Sequence, residues 1–210
     1  MTQKERFMTC LASAEQGDLA AMDDVANMYA DGIGAEPDVA AAQRWYASAV
    51  EKGSISSAIN LALLLTSAGF GEDDKRRAFH LLENAVRTDE EKAAAAYAPE
   101  DMKRYSIIVH DYVANILPSV RASKGKAMHM LGRLMVEGVG TDPDPAGGVK
   151  WMEQAVALGC AEAAYELGVA LWHGKSGISI DRQTSIAWFR RAADLGHAEA
   201  AELVKKHFSD

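Results

Sequence analysis

One tripeptide in this sequence has the residue types of a phosphate-binding loop. Gly174-Lys175-Ser176 matches the last part of the glycine-rich loop that holds nucleotide phosphates. That loop also needs a glycine five residues before Gly174, where Val169 stands, and it follows a strand, whereas helical spacing precedes Gly174. The sequence therefore predicts a lengthened turn at this point and no nucleotide site.

A second group has part of the spacing of a calcium loop. Asp142, Asp144, Gly147 and Glu153 fall at positions 1, 3, 6 and 12 of that pattern. Position 5 is Ala146, however, and two prolines within the stretch restrict the backbone. We therefore expect no calcium site and interpret Asp144 as the N-cap of a helix.

The histidines and cysteines form no recognisable metal or nucleophile motif. The six histidines are His80, His110, His129, His173, His197 and His207. No His-Glu-x-x-His or Cys-x2-Cys pattern occurs, and no Cys–His pair can be shown to be close from the sequence. Cys10 and Cys160 are far apart in the chain, so we expect two free thiols and a reducing compartment. The sequence predicts a protein without metal, cofactor or enzymatic activity.

The composition limits the classes of molecule that the protein is expected to bind. The net charge is −8 and the pI about 5.3, which argues against nucleic acid because its phosphates require clustered Lys and Arg. The acidic balance leaves open a basic protein partner. No apolar run approaches the roughly 20 residues of a membrane span and no signal peptide is evident, so we expect a cytoplasmic protein without membrane contact.

The chain is organised around a helix–turn–helix unit, best preserved in residues 163–196. Its signature is an aspartate seven residues before a tryptophan, with glycines upstream and a small residue four positions downstream. The aspartate–aromatic pairs are Asp38 and Trp45, Asp144 and Trp151, and Asp181 and Trp188, and Asp74 precedes Leu81 by the same seven residues. Four instances of one spacing predict a repeat protein.

Each part of the unit has a physical role. The aspartate is a good N-cap for the second helix, and the glycines permit a tight turn between antiparallel helices. Small residues in the first helices, namely Ala26, Ala62, Gly132 and Gly168, allow close packing. We expect the tryptophans to fill the space between one helix pair and the next, because a single pair cannot bury its apolar face.

These residues resemble the Sel1-like repeat, a relative of the tetratricopeptide repeat. The resemblance implies an all-α, right-handed α-solenoid of stacked antiparallel helix pairs in a single domain, 1–210. The expected division is a cap helix (1–16), repeat 1 (17–53), a degenerate repeat 2 (54–86), repeat 3 (124–159), repeat 4 (160–196) and a C-terminal capping helix (197–210).

Residues 87–123 do not fit the repeat. Helical spacing after Pro99 predicts a helix that ends before Pro118, and a preceding alanine-rich stretch predicts another. Two interpretations remain open: a degenerate repeat in the same stack, or an added element that forms a homodimer through the helix at 99–117 or contacts a partner.

The resemblance implies a non-enzymatic adaptor, scaffold or regulator that binds a peptide or protein on its concave face. The outward positions of the first helices, together with an unusual tryptophan, are the candidate binding residues: Asp23, Asn27, Ile59, Asn60, His129, Arg133, Tyr165, Glu166 and Trp172. One alternative is an immunity or inhibitor protein that neutralises a toxin or an enzyme. Another is a hydrolase-like or β-lactam-binding activity, although the paired cysteines of cysteine-rich relatives are missing.

Overall fold

The computed structural model describes residues 1–67, 69–99, 102, 106–174 and 177–208, with the backbone alone for residues 106–111. Within these ranges the chain forms α-helices and no strand, which confirms the all-α class. The helices are α1 (Gln3–Glu15), α2 (Leu19–Asp31), α3 (Val39–Glu51), α4 (Ile55–Leu65), α5 (Glu72–Arg87), α6 (Glu90–Ala96), α7 (Ser106–Glu137), α8 (Pro145–Ala157), α9 (Ala161–His173), α10 (Arg182–Asp194) and α11 (Ala198–His207).

The internal contacts divide the chain into two compact units. Unit 1 comprises Met1–Ser67 and Arg87–Arg121, and unit 2 comprises Ala68–Val86 and Ala122–Asp210. In unit 1 the consecutive helices α1 to α4 pack against one another in sequence order, and in unit 2 the helices α8 to α11 do the same. These consecutive helices therefore pack as neighbours within each unit, as expected of a repeat protein. The two helices of repeat 2, α4 and α5, are assigned to different units.

The predicted helix caps are present in three of the four repeats. The carboxylates of Asp38, Asp144 and Asp181 accept hydrogen bonds from backbone N–H groups three residues later, at 2.8, 2.8 and 3.0 Å. Because these bonds satisfy N–H groups that have no partner inside the helix, they fix where α3, α8 and α10 begin.

The fourth aspartate, Asp74, is not an N-cap. Helix α5 begins two residues earlier, at Glu72, and Asp74 lies in its first turn. Its carboxylate accepts a hydrogen bond from the backbone N–H of Gly71 at 3.2 Å, which is half of a capping box. Three successive acidic residues favour the positive end of the helix dipole, and this explains the earlier start.

The tryptophans of the repeats are not the most buried residues of their helices. Trp45, Trp151 and Trp188 are all only partly buried. The residue that follows each of them is 4–5% exposed, namely Tyr46, Met152 and Phe189. The helix face turned to the interior is therefore centred one position after each tryptophan, and the tryptophans lie at its edge.

Close helix packing through small residues is present as predicted. A Cβ atom on Gly132 of α7 would lie 2.6 Å from the carbonyl oxygen of Gly148 in α8. A Cβ on Gly168 of α9 would lie 2.7 Å from the ring of Phe189 in α10. Both positions require glycine because the neighbouring helix occupies the space that a side chain would need.

The prediction that a helix ends before Pro118 is wrong. Helix α7 runs through Pro118 to Glu137, so the irregular segment and the first helix of repeat 3 are one continuous element. Proline removes the hydrogen bond to the carbonyl of Ala114, but both residues are exposed and water can solvate that carbonyl.

The described part of segment 87–123 up to Arg121 belongs to unit 1. Ala93 and Ala94 of α6 are 2% and 0% exposed, and Arg121 Nε lies 2.7 Å from Glu90 Oε2. Most of the proposed dimerisation helix, 99–117, lies outside the residues whose side chains are described, and a homodimer through it stays a prediction.

Candidate functional site

In unit 1 the candidate residue Asp23 is the centre of a buried hydrogen-bond network. Its Oδ1 accepts hydrogen bonds from the hydroxyls of Ser54, at 2.8 Å, and Ser57, and its Oδ2 accepts one from Tyr97, at 2.8 Å. Burial raises the pKa of Asp23 above its ordinary value, although the three hydroxyls oppose this rise. The network ties α2 to α4 and to the end of α6, so the carboxylate is engaged internally.

The amides of unit 1 are also engaged within the fold. Asn27 Oδ1 accepts hydrogen bonds from the Tyr46 hydroxyl at 2.7 Å and from Asn60 Nδ2 at 3.0 Å. Burial raises the pKa of Tyr46 to about 12. Ile59, the fourth candidate in this unit, is half-buried. The structure thus brings Asn27 and Asn60 together, as a link between α2 and α4.

In unit 2 three of the candidates form one ion-pair cluster. Glu166 Oε2 lies 2.9 Å from His129 Nε2 and 3.5 Å from Arg133 Nε. His129 is 8% exposed, so the sequence expectation of an outward-facing histidine is wrong. Arg133 is exposed and also approaches Glu137 at 3.9 Å. Since His129 lies inside, Arg133 and Glu166 are the more exposed members of the cluster, and both line a cleft.

The remaining candidates, Tyr165 and Trp172, belong to an aromatic cluster on α9. The Tyr165 ring stacks on His197 with centroids 4.2 Å apart, and Trp172 lies 5.6 Å from Phe208. The guanidinium of Arg182 lies 5.2 Å from the Trp172 ring, a distance at which a cation and an aromatic face attract. Trp172 is half-buried.

Two adjoining clefts lie along α9. The polar cleft, of about 370 Å³, is lined by Arg133, Val136, Glu137, Met152, Glu162, Tyr165, Glu166, Val169, Ala170 and Ile178. The aromatic cleft, of about 510 Å³, is lined by Tyr165, Val169, Trp172, His173, Phe189, Leu203, His207 and Phe208. Because Tyr165 and Val169 line both, the two clefts form a continuous surface, which we call the α9 surface.

One functional arrangement could not be identified from the sequence motifs. Cys160, the residue before α9, shares a cleft with the imidazole of His129, and each of the two groups shifts the pKa of the other. The pair lines a third cleft, of about 410 Å³, with Lys126, Gly159 and Glu162 among its other walls. Equivalent positions in the two repeats indicate that these side chains are near each other. Asp23 and Ser54, which are hydrogen-bonded, are separated by 31 residues, and so are His129 and Cys160.

The electrostatics of this pair favour the charged forms. Burial by itself lowers the pKa of His129, but the hydrogen bonds and charges of Cys160 and Glu166 outweigh burial and raise the pKa to about 9. Burial by itself raises the pKa of Cys160, but His129 and the backbone N–H groups of Ala163 and Glu162 lower it further than burial raises it. The result is an imidazolium beside a thiol that ionises readily.

No three His, Cys, Asp or Glu side chains in the described ranges are arranged to hold a metal ion. Nor does any helix there combine the length and hydropathy needed to cross a membrane.

Comparison with known proteins gives a family match over most of the chain. Residues 19–54, 55–87, 125–160 and 161–197 match the family model described as Sel1 repeat. A solved protective antigen from uropathogenic Escherichia coli, which displays an SLR fold, is 25% identical with a TM-score of 0.40, over 98% of this chain and 45% of that one. This chain therefore spans less than half of the length of that antigen.

Two further solved structures are similar. A Sel1 repeat protein from Oxalobacter formigenes is 21% identical with a TM-score of 0.41, over 91% of this chain and 79% of that chain. A sel1 repeat protein from Klebsiella pneumoniae subsp. pneumoniae is 17% identical with a TM-score of 0.42, over 97% and 99% of the two chains.

Proposed function

Because this chain belongs to the Sel1 repeat family, whose repeats generally mediate protein–protein interactions, we propose that it binds a segment of a partner protein on its α9 surface. The observation that carries the proposal is the continuity of the polar and aromatic clefts through Tyr165 and Val169. A segment that crosses α9 can place an apolar side chain in one cleft and a polar one in the other.

The aromatic cleft supplies the anchor of the proposed interaction. Its volume of about 510 Å³ is large enough for one aromatic or branched aliphatic side chain and its neighbours. Trp172 and Phe208 form part of its wall, and aromatic residues in a partly closed pocket provide much of the binding energy in protein interfaces. We therefore expect the partner to present an aromatic or large aliphatic residue here.

The polar cleft sets the charge of the partner. It contains three carboxylates, on Glu137, Glu162 and Glu166, and one guanidinium, on Arg133. The cleft is thus negative on balance, which favours a Lys or Arg next to the anchor and disfavours an acidic residue there. A basic partner segment also agrees with the net charge of −8 for the whole chain.

Affinity capture followed by mass spectrometry tests the proposal. We expect the unaltered protein to recover a partner that Trp172→Ala and Glu137→Lys each recover at least about fivefold less, a loss of about 1 kcal/mol. Matched controls in unit 1 are Leu63→Ala, an exposed apolar residue of α4, and Glu51→Lys, an exposed acid of α3.

The controls decide the outcome. If Leu63→Ala and Glu51→Lys reduce recovery as much as the α9 variants, or if the α9 variants retain full recovery while folded by circular dichroism, the α9 surface is not the binding site. A single partner recovered in equimolar amount would favour the inhibitor interpretation over a scaffold that binds several proteins.

A further inference from the structure

The cleft that contains Cys160 lies apart from the proposed anchor pocket and is not explained by partner binding. Cys160 is the N-cap residue of α9, and the backbone N–H groups of Ala163 and Glu162 help to lower the pKa of its thiol. The imidazole of His129 lines the same cleft as the thiol, and Glu166 Oε2 holds the imidazole through Nε2 at 2.9 Å. A cysteine, a histidine and a carboxylate in this order are the arrangement that activates a thiol as a nucleophile.

The same repeat position in unit 1 carries a different and more enclosed pair of side chains. There, Asp23 and Ser54 stand where His129 and Cys160 stand in unit 2, with the same separation of 31 residues. Ser54 is 2% exposed and its hydroxyl is enclosed by Asp23 and Tyr97. Cys160, in contrast, is half-buried and opens into a cleft of about 410 Å³.

We propose that Cys160 is a site of reversible thiol–disulfide exchange with the disulfide of a small, carboxylate-bearing thiol. The Cys160 sulfur attacks one sulfur of the incoming disulfide, the new S–S bond forms, and the old S–S bond breaks. The leaving thiolate takes the proton held by the His129 imidazolium. Cys160 is thereby oxidised to a mixed disulfide and one small thiol is released, so atoms and electrons balance.

Two features favour this chemistry over acyl transfer. The backbone N–H of Cys160 is already donated to the carbonyl of Ala155 at 3.0 Å, so it is not available to stabilise an oxyanion. The cleft also carries the exposed ammonium of Lys126, which can pair with a carboxylate of the incoming molecule. The other charged groups facing the thiol are His129 and Glu162.

The chain contains an internal control for the experiment. Cys10 lies within α1, is also half-buried, and is the second of the two free thiols. The variants Cys10→Ser and Cys160→Ser therefore each leave a single thiol to compare. The rate of reaction with 5,5′-dithiobis(2-nitrobenzoate) is measured from pH 5 to 9, and mixed-disulfide formation with oxidised glutathione is measured by intact mass.

At pH 6 an ordinary thiol, with a pKa of about 8.5, is only about 0.3% thiolate. We expect Cys160 in the Cys10→Ser protein to react about tenfold faster than Cys10 at this pH, after allowing for the lower nucleophilicity of a more acidic thiol. The pH at which its rate reaches half of its maximum should lie below the pKa of about 8.5 of an ordinary thiol. Oxidised glutathione should modify Cys160 before Cys10.

Adding His129→Gln to the Cys10→Ser protein should remove the excess rate at pH 6 and restore the ordinary pH profile. His80→Gln, at an exposed histidine of α5, is the matched control and should leave the rate within twofold. Equal rates for the two thiols at pH 6 would overturn the proposal without any use of the His129 variant. Fast reaction with the aromatic reagent but no mixed disulfide with glutathione would overturn the assigned class of disulfide.

Discussion

Replacement of Asp23 by alanine is the sharpest test of how the repeats of unit 1 are held together. The change removes one carboxylate that accepts hydrogen bonds from the hydroxyls of Ser54, Ser57 and Tyr97. The two serines are 2% and 0% exposed, so water cannot readily replace the lost acceptor. The substitution therefore strands buried hydroxyls as well as breaking bonds.

The expected loss of stability can be estimated from the hydrogen bonds that are removed. Three hydrogen bonds at about 1 kcal/mol each give a loss of about 3 kcal/mol. Burial is the largest influence on the pKa of Asp23, so keeping this carboxylate out of water destabilises the folded state. Removing the carboxylate recovers that part of the free energy. We expect Asp23→Ala to lower the free energy of unfolding by about 2–3 kcal/mol. For a chain of this length that corresponds to a fall in Tm of about 4–12 °C.

Urea unfolding followed by circular dichroism measures the change, with Asp24→Ala as the matched control. Asp24 is the exposed neighbour on the same helix, and its replacement should alter stability by no more than about 0.5 kcal/mol. If the two variants are equally stable, the network does not hold α2 and α4 together. If Asp23→Ala instead loses partner recovery at unchanged stability, the sequence-based view of Asp23 as a binding residue is right and the argument from burial is refuted.

Two further outcomes are expected. Gly132→Ala should destabilise the protein by about 1–2 kcal/mol in urea unfolding, because its Cβ would meet the Gly148 carbonyl oxygen at 2.6 Å. Gly125→Ala, on the same helix, is the control. Its Cβ would first meet Leu158 at 3.3 Å, so this change should be neutral or slightly stabilising. The second outcome concerns pH. The stability of the unaltered protein relative to Asp23→Asn should fall as pH rises from about 3.8 through the raised pKa of Asp23 in the folded state. A raised pKa means that the folded protein holds the proton more tightly than the unfolded chain does. If the urea midpoints of the unaltered protein and of Asp23→Asn differ by the same amount at every pH from 3.5 to 8, this second expectation is contradicted.

Much of the fold could be predicted from the sequence, because the signals that encode it are local. An aspartate three residues before an unpaired N–H and a glycine at the end of a helix act within one turn of backbone. Repetition of these signals at a fixed period identified the helix pairs and the family. Asp74 and Pro118 show where local signals fail: three adjacent acids move the start of α5, and an exposed carbonyl lets α7 continue through a proline.

The candidate site was only partly predictable, for a different reason. The sequence placed the candidate residues on the first helices, but it could not set the rotation of each helix about its axis. That rotation buries His129, half-buries Asp23, and turns Arg133 and Trp172 toward clefts. It also places Phe189, not Trp188, in the interior.

The sequence by itself therefore determined which segments are helices, where most of them begin and end, and that they repeat. The tertiary structure decided which side chains meet: Asp23 with Tyr97, Trp172 with Phe208, and His129 with Cys160. Helix caps and turns are set by backbone groups a few residues apart. Contacts between side chains 31 or more residues apart depend on how helix faces pack, and that is settled only when all of the neighbouring helices bury their apolar surfaces together.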